Sequence, residues 1–488
     1  MWFIGKKSPA PSSPPLRLYS TLSKQIEDFT MPEKRLVRMY NCGPTVYGKQ
    51  HIGNLSMFVF TDVLRRTLEY NGFEVRQVIN ITDVGHLTSD ADDGEDKMSR
   101  GLKREGLELS LENMKALAGK YTDAFLNDLR ALHIDIKRIA FPRASEYIEA
   151  QIAMVQTLMD KGYAYVIGDG VYYDTSVFQG YGALGGVRGE GQEAGGRVRV
   201  AEGKRSPRDF ALWKFDAAIG WESPWGKGFP GWHIECSAMI RSCLGVQIDI
   251  HTGGVEHIAI HHNNEIAQSE VATGRRPLSR FWMHREHLQF EGGKLAKSAG
   301  NVVYLSDVAE KGFHPLALRY LFLGSHYRTP ANFSWEALGA AQTSYLRLRS
   351  RARPASEGGA LPESYRRRFH ERINDDLDTP GALSVLWEAA GDSSLPPADV
   401  RALLLAASQV LGLDLAAQDE FADSLIRAAE GVRISLDELP GDIRALVEER
   451  EAAREAEDWS KADSLRESLK EKGFRIEDGS DGPVVVKR

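Results

Sequence analysis

The sequence predicts an α/β fold built on a parallel sheet, with an inserted module and a helical region after the sheet. Residues 36–40 and 73–81 are apolar enough to form buried strands. Between them, apolar residues recur from 60 to 68 with the spacing of one helical face, and Asn71 and Gly72 end that pattern. Strand, helix and strand form a βαβ unit, which indicates a Rossmann-like sheet that binds ligands at the carboxyl ends of its strands.

The rest of the chain predicts how the protein is divided. A helical pattern at 146–161 and two short strands precede a glycine-rich stretch, which indicates a module inserted into the α/β domain. Helical patterns interrupted by prolines dominate after residue 315. The predicted segments are a disordered leader at 1–17, the first half of the α/β domain at 18–144, the inserted module at 145–205, the second half at 206–330, a helical bundle at 331–438 and a charged C-terminal tail at 439–488.

Composition excludes several classes of protein. The chain has 488 residues, 26% of them charged, and no apolar run approaches the ~20 residues that cross a bilayer. The N-terminus lacks the pattern of a secretory signal, and three cysteines are too few for a disulfide framework. We therefore expect a cytoplasmic protein without a membrane segment. The net charge of −7 neither supports nor excludes nucleic-acid binding, which would need local basic faces.

Two of the cysteines lie where a metal site would need them. Cys42 ends one predicted strand, and Cys236 lies near another together with His261 and Glu265. Thiolate, imidazole and carboxylate are all zinc ligands. The i, i+4 spacing of the His–Glu pair places both side chains on one face of a helix. The four residues are therefore candidate zinc ligands.

Each of these residues taken alone has a simpler explanation. A lone buried cysteine usually behaves as a small apolar side chain, and a His–Glu pair at this spacing is usually a solvated surface pair. Their concentration around two strands is what favours a metal. Spacing alone leaves Cys243 and His262 as alternative ligands.

Two further segments indicate a nucleotide site. His51-Ile-Gly-Asn54 falls at the turn where the predicted helix begins, and a helix N-terminus offers free N–H groups to a phosphate. Asn54 also suits the N-cap position of that helix. Lys294-Leu-Ala-Lys-Ser298 is a glycine-flanked loop, and its Lys294 and Lys297 can close over a triphosphate and neutralise its charge.

Two similar patterns are rejected. The segment at 180–185 matches the dinucleotide fingerprint, but the sequence after it cannot open a helix, so the required strand–turn–helix context is missing. The segment from Lys97 to Arg100 resembles the lysine loop, but it follows an acidic run and is interpreted as a surface segment.

Together these segments resemble the class I aminoacyl-tRNA synthetases and, within that class, the cysteine–tRNA ligase family. Residues 51–54 correspond to the HIGH signature and residues 294–298 to the KMSKS signature. The blocks at 42–47, 80–84, 230–236 and 265–268 resemble sequences specific to the family, and those at 375–380 and 450–466 resemble its helical and anticodon-binding domains. The resemblance covers about residues 18–488 and implies a split catalytic domain, a helical bundle and a small C-terminal anticodon-binding domain.

The resemblance implies a metal and two bound substrates. One zinc ion, held by Cys42, Cys236, His261 and Glu265, would bind the thiolate of L-cysteine, and Mg²⁺ would accompany ATP. The acceptor would be tRNA(Cys), and the protein would act as a monomer. The residues assigned to ATP are His51, Asn54, Lys294 and Lys297, and the histidine and both lysines would stabilise charge. The residues assigned to the amino acid are Gly43, Thr82, Trp232 and Glu256, and the glutamate would face the ammonium group.

The chain departs from the family pattern at several positions. Asn54 replaces the second histidine of the HIGH signature, and Leu295 and Ala296 replace the methionine and first serine of KMSKS. The C-terminus lacks the tryptophan often found there in the family. Because both lysines are retained, we expect slower activation of the amino acid and not inactivity.

Two other functions are compatible with these residues. A related ligase joins activated cysteine to an amino-sugar, as in mycothiol synthesis, but it has no need of the tail at 442–478, which is punctuated by lysines and arginines and helical to about Lys472. A non-catalytic paralogue that binds tRNA or zinc is supported by the motif substitutions alone.

Overall fold

The computed structural model describes residues 14–30, 35–84, 97–185, 202–290, 293–294, 302–353, 358–430, 432–479 and 482–487. The chain divides into two compact units, one formed by Met1–Gln342 and Pro354–Leu415 and the other by Thr343–Arg353 and Ala416–Arg488. Among the described helices, none is both long and apolar enough to span a membrane.

The larger unit is built around a sheet of parallel strands. Its strands in chain order are β1 (Arg17–Ser20), β2 (Gln25–Asp28), β3 (Leu36–Asn41), β4 (Glu74–Ile79), β5 (Ile139–Ala140), β6 (Ala164–Ile167), β7 (Gly170–Tyr173), β8 (Phe210–Phe215), β9 (Gly228–Pro230), β10 (Ile248–Gly254), β11 (Ser279–Arg285), β12 (Leu288–Phe290), β13 (Gly293–Lys294) and β14 (Ala331–Phe333). In the central sheet β11, β10, β3, β4 and β5 lie side by side in that order and all pair in parallel. The predicted parallel α/β fold is confirmed.

Both faces of the central sheet are covered. Met39 and Tyr40 are neighbours on β3, yet they pack into different hydrophobic clusters. This is expected because successive side chains of a strand point to opposite faces. The strands are therefore buried on both sides, as is usual for parallel sheets.

Helices occur in both units and form most of the described chain after residue 305. They are α1 (Ile52–Tyr70), α2 (Lys97–Glu105), α3 (Leu111–Ala131), α4 (Ile148–Asp160), α5 (Trp232–Cys243), α6 (His261–Thr273), α7 (Leu305–Glu310), α8 (Pro315–Leu323), α9 (Trp335–Ala352), α10 (Glu363–Asn374), α11 (Thr379–Gly391), α12 (Pro397–Leu411), α13 (Glu420–Glu430), α14 (Gly441–Glu455) and α15 (Trp459–Glu471).

Helix α1 connects β3 to β4, as the βαβ pattern predicts. Its N-cap is His51, whose Nδ1 accepts a hydrogen bond from the backbone N–H of Asn54 at 3.2 Å. The interpretation of Asn54 as the N-cap is therefore wrong. Asn54 lies inside the first turn, where its side-chain amide donates to Gln50 Oε1 at 2.7 Å. His51 satisfies one of the backbone N–H groups that a helix N-terminus leaves without an intrahelical partner.

The inserted part of the chain has its own sheet. Strands β6, β7, β8 and β9 pair antiparallel in that order. Because β8 pairs with β7, this sheet extends across the predicted module boundary at residue 205. Most of the glycine-rich stretch before it lies outside the described residues.

The smaller unit contains helices α13 to α15 and a second antiparallel sheet. Its strands are β15 (Val432–Ile434), β16 (Phe474–Gly479) and β17 (Gly482–Lys487), in the order β15, β17, β16. Leu439, Val447, Leu469 and Ile476 form part of the core between the helices and the sheet. The charged tail is thus a small packed domain that ends in strands.

Candidate active site

The candidate site lies at the carboxyl ends of the central strands, where ligands bind in this kind of fold. Cys42 follows β3, Thr82 follows β4, Gly254 ends β10 and Arg285 ends β11. All four line one cavity of about 890 Å³. The βαβ pattern predicts this edge as the ligand site.

The four predicted metal ligands are brought together at one end of this cavity. Ligand atoms of Cys42, Cys236, His261 and Glu265 all lie within 4.8 Å of one another, and all four residues are buried. His261 begins α6, and its Nε2 lies 2.9 Å from Glu265 Oε1, one helical turn further on. Two thiols, an imidazole and a carboxylate are a donor set that suits zinc. The residues present therefore fit a zinc ion.

A second, overlapping set lies deeper in the protein. Ligand atoms of Cys42, His251, His262 and Glu265 also lie within 4.8 Å of one another. The Sγ atom of Cys42 is 3.3 Å from His262 Nε2, and His251 Nε2 is 2.9 Å from Glu265 Oε2. Cys243, the other alternative ligand, belongs to neither of these two sets, and its Sγ lies 3.4 Å from the hydroxyl of Tyr147.

The buried groups set one another's charge. A hydrogen bond with Cys42 lowers the pKa of Cys236 to about 6 against the effect of burial. Burial would lower the pKa of His261, but Glu265 and Cys236 raise it to about 10. Burial favours the neutral form of Glu265, but His251 and His261 hold its pKa well below the usual range. These shifts favour the thiolate of Cys236 and the ionised form of Glu265, and they also favour the protonated form of His261, which must lose its proton to bind a metal.

The residues predicted to bind the amino acid surround this end of the cavity. Gly43, Thr82, Trp232 and Glu256 all line it. A Cβ at Gly43 would lie 1.6 Å from the backbone oxygen of Asn80, so no larger residue fits there without moving the chain. The Trp232 ring lies 4.4 Å from the His261 ring, centroid to centroid, which places an aromatic surface next to the metal ligands.

Thr82 lines the cavity and also forms a hydrogen bond to a buried acid. Its hydroxyl donates to Glu235 Oε2 at 3.0 Å. Burial raises the pKa of Glu235 well above its usual range, and the nearby Cys236 adds to this effect. Both effects favour the neutral form of Glu235 beside the site.

Only some of the residues predicted to bind the nucleotide lie in the described part of the chain. His51 and Asn54 line the cavity. Lys294 contributes its backbone to β13, which pairs with β12 at Gln289. Lys297 lies outside the described residues, as do Leu295 and Ala296.

The sequence interpretation missed a group of cations. Lys97, Arg100 and Arg104 lie on α2 and line the cavity. The interpretation of residues 97–100 as a surface segment holds for the exposed Arg100 but not for the buried Met98. Lys97 Nζ lies 5.6 Å from the centroid of the Trp232 ring. Met98 is fully buried and anchors the helix from its other face.

The missed helix has a recognisable signal in the sequence. Met98 and Leu102 are four residues apart and form a buried stripe, while Lys97, Arg100 and Arg104 have the i, i+3, i+7 spacing of one face. Arg285 carries no such signal, because it is the last residue of a buried strand and belongs to none of the motifs.

Comparison with known proteins identifies the fold and the family. The model of the class I (C) tRNA synthetase catalytic domain matches residues 28–343. The structure of Mycobacterium tuberculosis methionyl-tRNA synthetase in complex with methionyl-adenylate is similar in fold, with a TM-score of 0.54 and 15% sequence identity, and the match covers 80% of this chain and 91% of that chain. The chain has the fold and the catalytic-domain sequence of a class I aminoacyl-tRNA synthetase.

Closer relatives narrow the assignment within this class. The chain is 46% identical over 474 residues to cysteine–tRNA ligase 1 of Burkholderia lata, which covers 96% of each chain. It is 39% identical over 494 residues to the cysteine–tRNA ligase of Treponema denticola, covering 95% of this chain and 98% of that one. The model of the cysteinyl-tRNA ligase anticodon-binding domain matches residues 436–483. The chain belongs to the cysteine–tRNA ligase family.

Proposed function

We propose that the protein joins L-cysteine to tRNA(Cys) at the expense of ATP, through cysteinyl-adenylate. The observation that carries the proposal is the cluster of Cys42, Cys236, His261 and Glu265 at one end of a cavity that also contains the nucleotide signature at His51. The family relationship supports the same reaction.

We propose zinc as the metal and the first ligand set as its site. Cys42, Cys236 and His261 line the cavity, whereas His251 and His262 do not. An ion in the first set would therefore be accessible to a substrate, as a catalytic zinc must be, while one in the deeper set would be enclosed by protein. Bound zinc would favour a soft thiolate over the hydroxyl of serine, which a pocket shaped only for size rejects poorly.

The protein's own residues would position the amino acid. Trp232 lines the pocket next to His261, and at Gly43 the backbone oxygen of Asn80 occupies the space that a side chain would need, which keeps the chain close to its neighbour at the cavity wall. Glu256 is half-exposed to the cavity, with a carboxylate oxygen 3.7 Å from His287 Nδ1, and would attract the ammonium group. The carboxylate of cysteine is then held near the nucleotide end of the cavity, and such positioning supplies much of the rate.

His51 would contribute to the first chemical step. The cysteine carboxylate attacks the α-phosphorus of ATP, a new P–O bond forms, and the bond to pyrophosphate breaks. Because Nδ1 of His51 accepts from the Asn54 N–H, its neutral ring carries the proton on Nε2 and can donate to a phosphate oxygen. Lys294 and Lys297 are proposed to neutralise the departing pyrophosphate, and Mg²⁺ would accompany ATP. A terminal ribose hydroxyl of the tRNA then attacks the adenylate carbonyl, and AMP leaves.

The match to an anticodon-binding domain at residues 436–483 favours tRNA over an amino-sugar as the acceptor. A monomeric state and a cytoplasmic location stay predictions of the sequence.

Cysteine-dependent ATP–pyrophosphate exchange by zinc-loaded protein tests the activation step, and charging of tRNA(Cys) tests the transfer. We expect exchange with cysteine and little with serine at the same concentration. Equal exchange with both amino acids would contradict the role given to the metal. No exchange with cysteine would overturn the proposed reaction.

A further inference from the structure

Arg285 is a buried cation without a counter-charge in the described part of the chain. It ends β11 with 6% of its surface exposed. Its Nε donates to the hydroxyl oxygen of Ser56 at 3.0 Å. Its two terminal nitrogens donate to no acceptor, and no carboxylate pairs with it, among the described residues. A buried charge that lacks a partner is costly, so such a group needs an explanation.

The buried arginine in α8 shows how this chain compensates such a charge when the role is structural. Arg319 is fully buried, and its Nη2 lies 2.6 Å from Asp62 Oδ2. Its other nitrogens donate to the backbone oxygens of Leu132 and Leu411 at 2.8 and 2.7 Å. All three guanidinium nitrogens of Arg319 bond to protein acceptors. In Arg285, by contrast, only Nε does so among the described residues, which leaves the two terminal nitrogens for a ligand.

The position of Arg285 indicates what that ligand is. It lines the large cavity together with Ser56, His51 and Asn54, which belong to the start of α1. The Ser56 hydroxyl donates to the Gly53 backbone oxygen at 2.7 Å and so presents a lone pair to Arg285. This fixes the guanidinium beside the N-terminus of a helix, where backbone N–H groups attract anions.

The other surroundings of Arg285 do not compensate its charge. A second cavity that borders it has only about 20 Å³ and is lined mainly by apolar residues, which leaves room for about one water molecule. On that side lies the ring of Phe322, 5.9 Å from the guanidinium carbon. Burial lowers the pKa of Arg285 to about 10, so the side chain still carries its charge at neutral pH.

We propose that Arg285 binds a phosphate group of ATP. This rests on the proposed function and adds a residue to the nucleotide site that lies outside both signature motifs. A guanidinium fork matches two oxygens of one phosphate, and its charge-assisted hydrogen bonds are stronger in a water-poor site. The phosphate supplies the negative charge that Arg285 lacks, and Ser56 keeps the fork oriented before ATP arrives.

Calorimetric titration of zinc-loaded protein with ATP and with adenosine tests the proposal. In Arg285→Gln we expect affinity for ATP to fall about 10–100-fold, which is the range for losing a hydrogen bond to a charged group. Affinity for adenosine, which has no phosphate, stays unchanged. Arg285→Lys keeps the charge but not the fork and falls between wild type and Arg285→Gln.

Arg280→Gln is the matched control from the same strand. Arg280 is more exposed and lies 3.7 Å from Asp249, away from the cavity lining, so this variant binds ATP as the wild type does. Thermal unfolding without nucleotide adds a second readout. Removing an uncompensated buried charge leaves Arg285→Gln at least as stable as the wild type.

Three results would overturn the inference. Wild-type ATP affinity in Arg285→Gln is the first, and equal loss of ATP and adenosine binding is the second. An effect confined to the KM for tRNA or for cysteine is the third. Each is distinct from failure of the proposed function, which shows as absence of cysteine-dependent exchange in the wild type.

Discussion

Two groups of residues line the same cavity and differ in how they are held. The metal group, Cys42, Cys236 and His261, is buried, and its members contact one another or Glu265. The cationic group consists of Lys97, Arg100 and Arg104 on α2 together with Arg285, and only Arg285 is buried.

The difference indicates different tasks. Fixed, mutually tuned donors suit one small ion that must be bound in a single geometry. Exposed cations on a helix suit larger, flexible anions, which they attract over some distance. Arg285 combines the burial of the first group with the charge of the second.

The largest expected effect comes from the metal group. In Cys236→Ser we expect cysteine-dependent exchange to fall more than ~1,000-fold, because loss of an outer partner of a metal ligand already costs about 10–100-fold. Pre-steady-state measurement of adenylate formation checks this. Cys243→Ser is the control, since Cys243 lies in neither candidate ligand set. Comparable exchange activity in Cys236→Ser and Cys243→Ser would contradict the role given to the metal group.

The next largest effect is on the free energy of unfolding, and it distinguishes Arg319, a structural buried arginine, from Arg285. In Asp62→Asn, Arg319 and Arg65 lose the carboxylate that they both contact, and we expect unfolding free energy to fall by about 3–5 kcal/mol at neutral pH. Urea denaturation measures it. If Arg285→Met were destabilised as strongly as Asp62→Asn, Arg285 would be a structural residue.

The stability effect of Asp62→Asn has a defined pH dependence. Burial favours the protonated form of Asp62, but Arg319, Arg66 and Arg65 hold its pKa below the usual range. A depressed folded-state pKa gives stability that is present above the unfolded pKa of about 3.9 and is lost as pH falls through the folded value. The stability difference between wild type and Asp62→Asn should therefore shrink below about pH 4. A difference that grows in acid would contradict the assigned charge.

The smallest effect is expected on α2. Arg100 is exposed, and exposed charge interactions are worth at most about 1 kcal/mol, so Arg100→Gln should raise a KM for ATP or tRNA by no more than about fivefold. The effect should weaken as salt is added, because exposed charges are screened. An effect that does not depend on salt would show that Arg100 acts by direct, desolvated contact.

How far the sequence predicts the site depends on the residue type. Cysteines are rare in this chain, so Cys42 and Cys236 stand out, and the spacing of His261 and Glu265 is meaningful once they lie on a helix. Arginines are common, and nothing in the local sequence distinguishes Arg285 from an ordinary strand-end residue. Its significance depends on contacts with Ser56, which is more than two hundred residues away.

The fold is predicted where periodicity is strong and missed where two patterns compete. Residues 36–41 and 74–79 form the strands expected from their apolar runs, and the helix between them follows its spacing. Helix α2 begins immediately after an acidic run, which indicates a surface segment. The competing helical signal consists of only two apolar residues, Met98 and Leu102. At α1, His51 took the N-cap position that Asn54 also suits, because a cap is decided by backbone geometry and not by side-chain type alone.

The zinc content of four proteins tests the central claim most directly. Cys236 belongs only to the first ligand set and His262 only to the deeper one, so Cys236→Ser and His262→Gln separate the two. We predict one zinc per chain in the wild type, in Cys243→Ser and in His262→Gln, and loss of zinc in Cys236→Ser. Full zinc in Cys236→Ser, with or without its loss from His262→Gln, would contradict the assignment of the ion to the cavity.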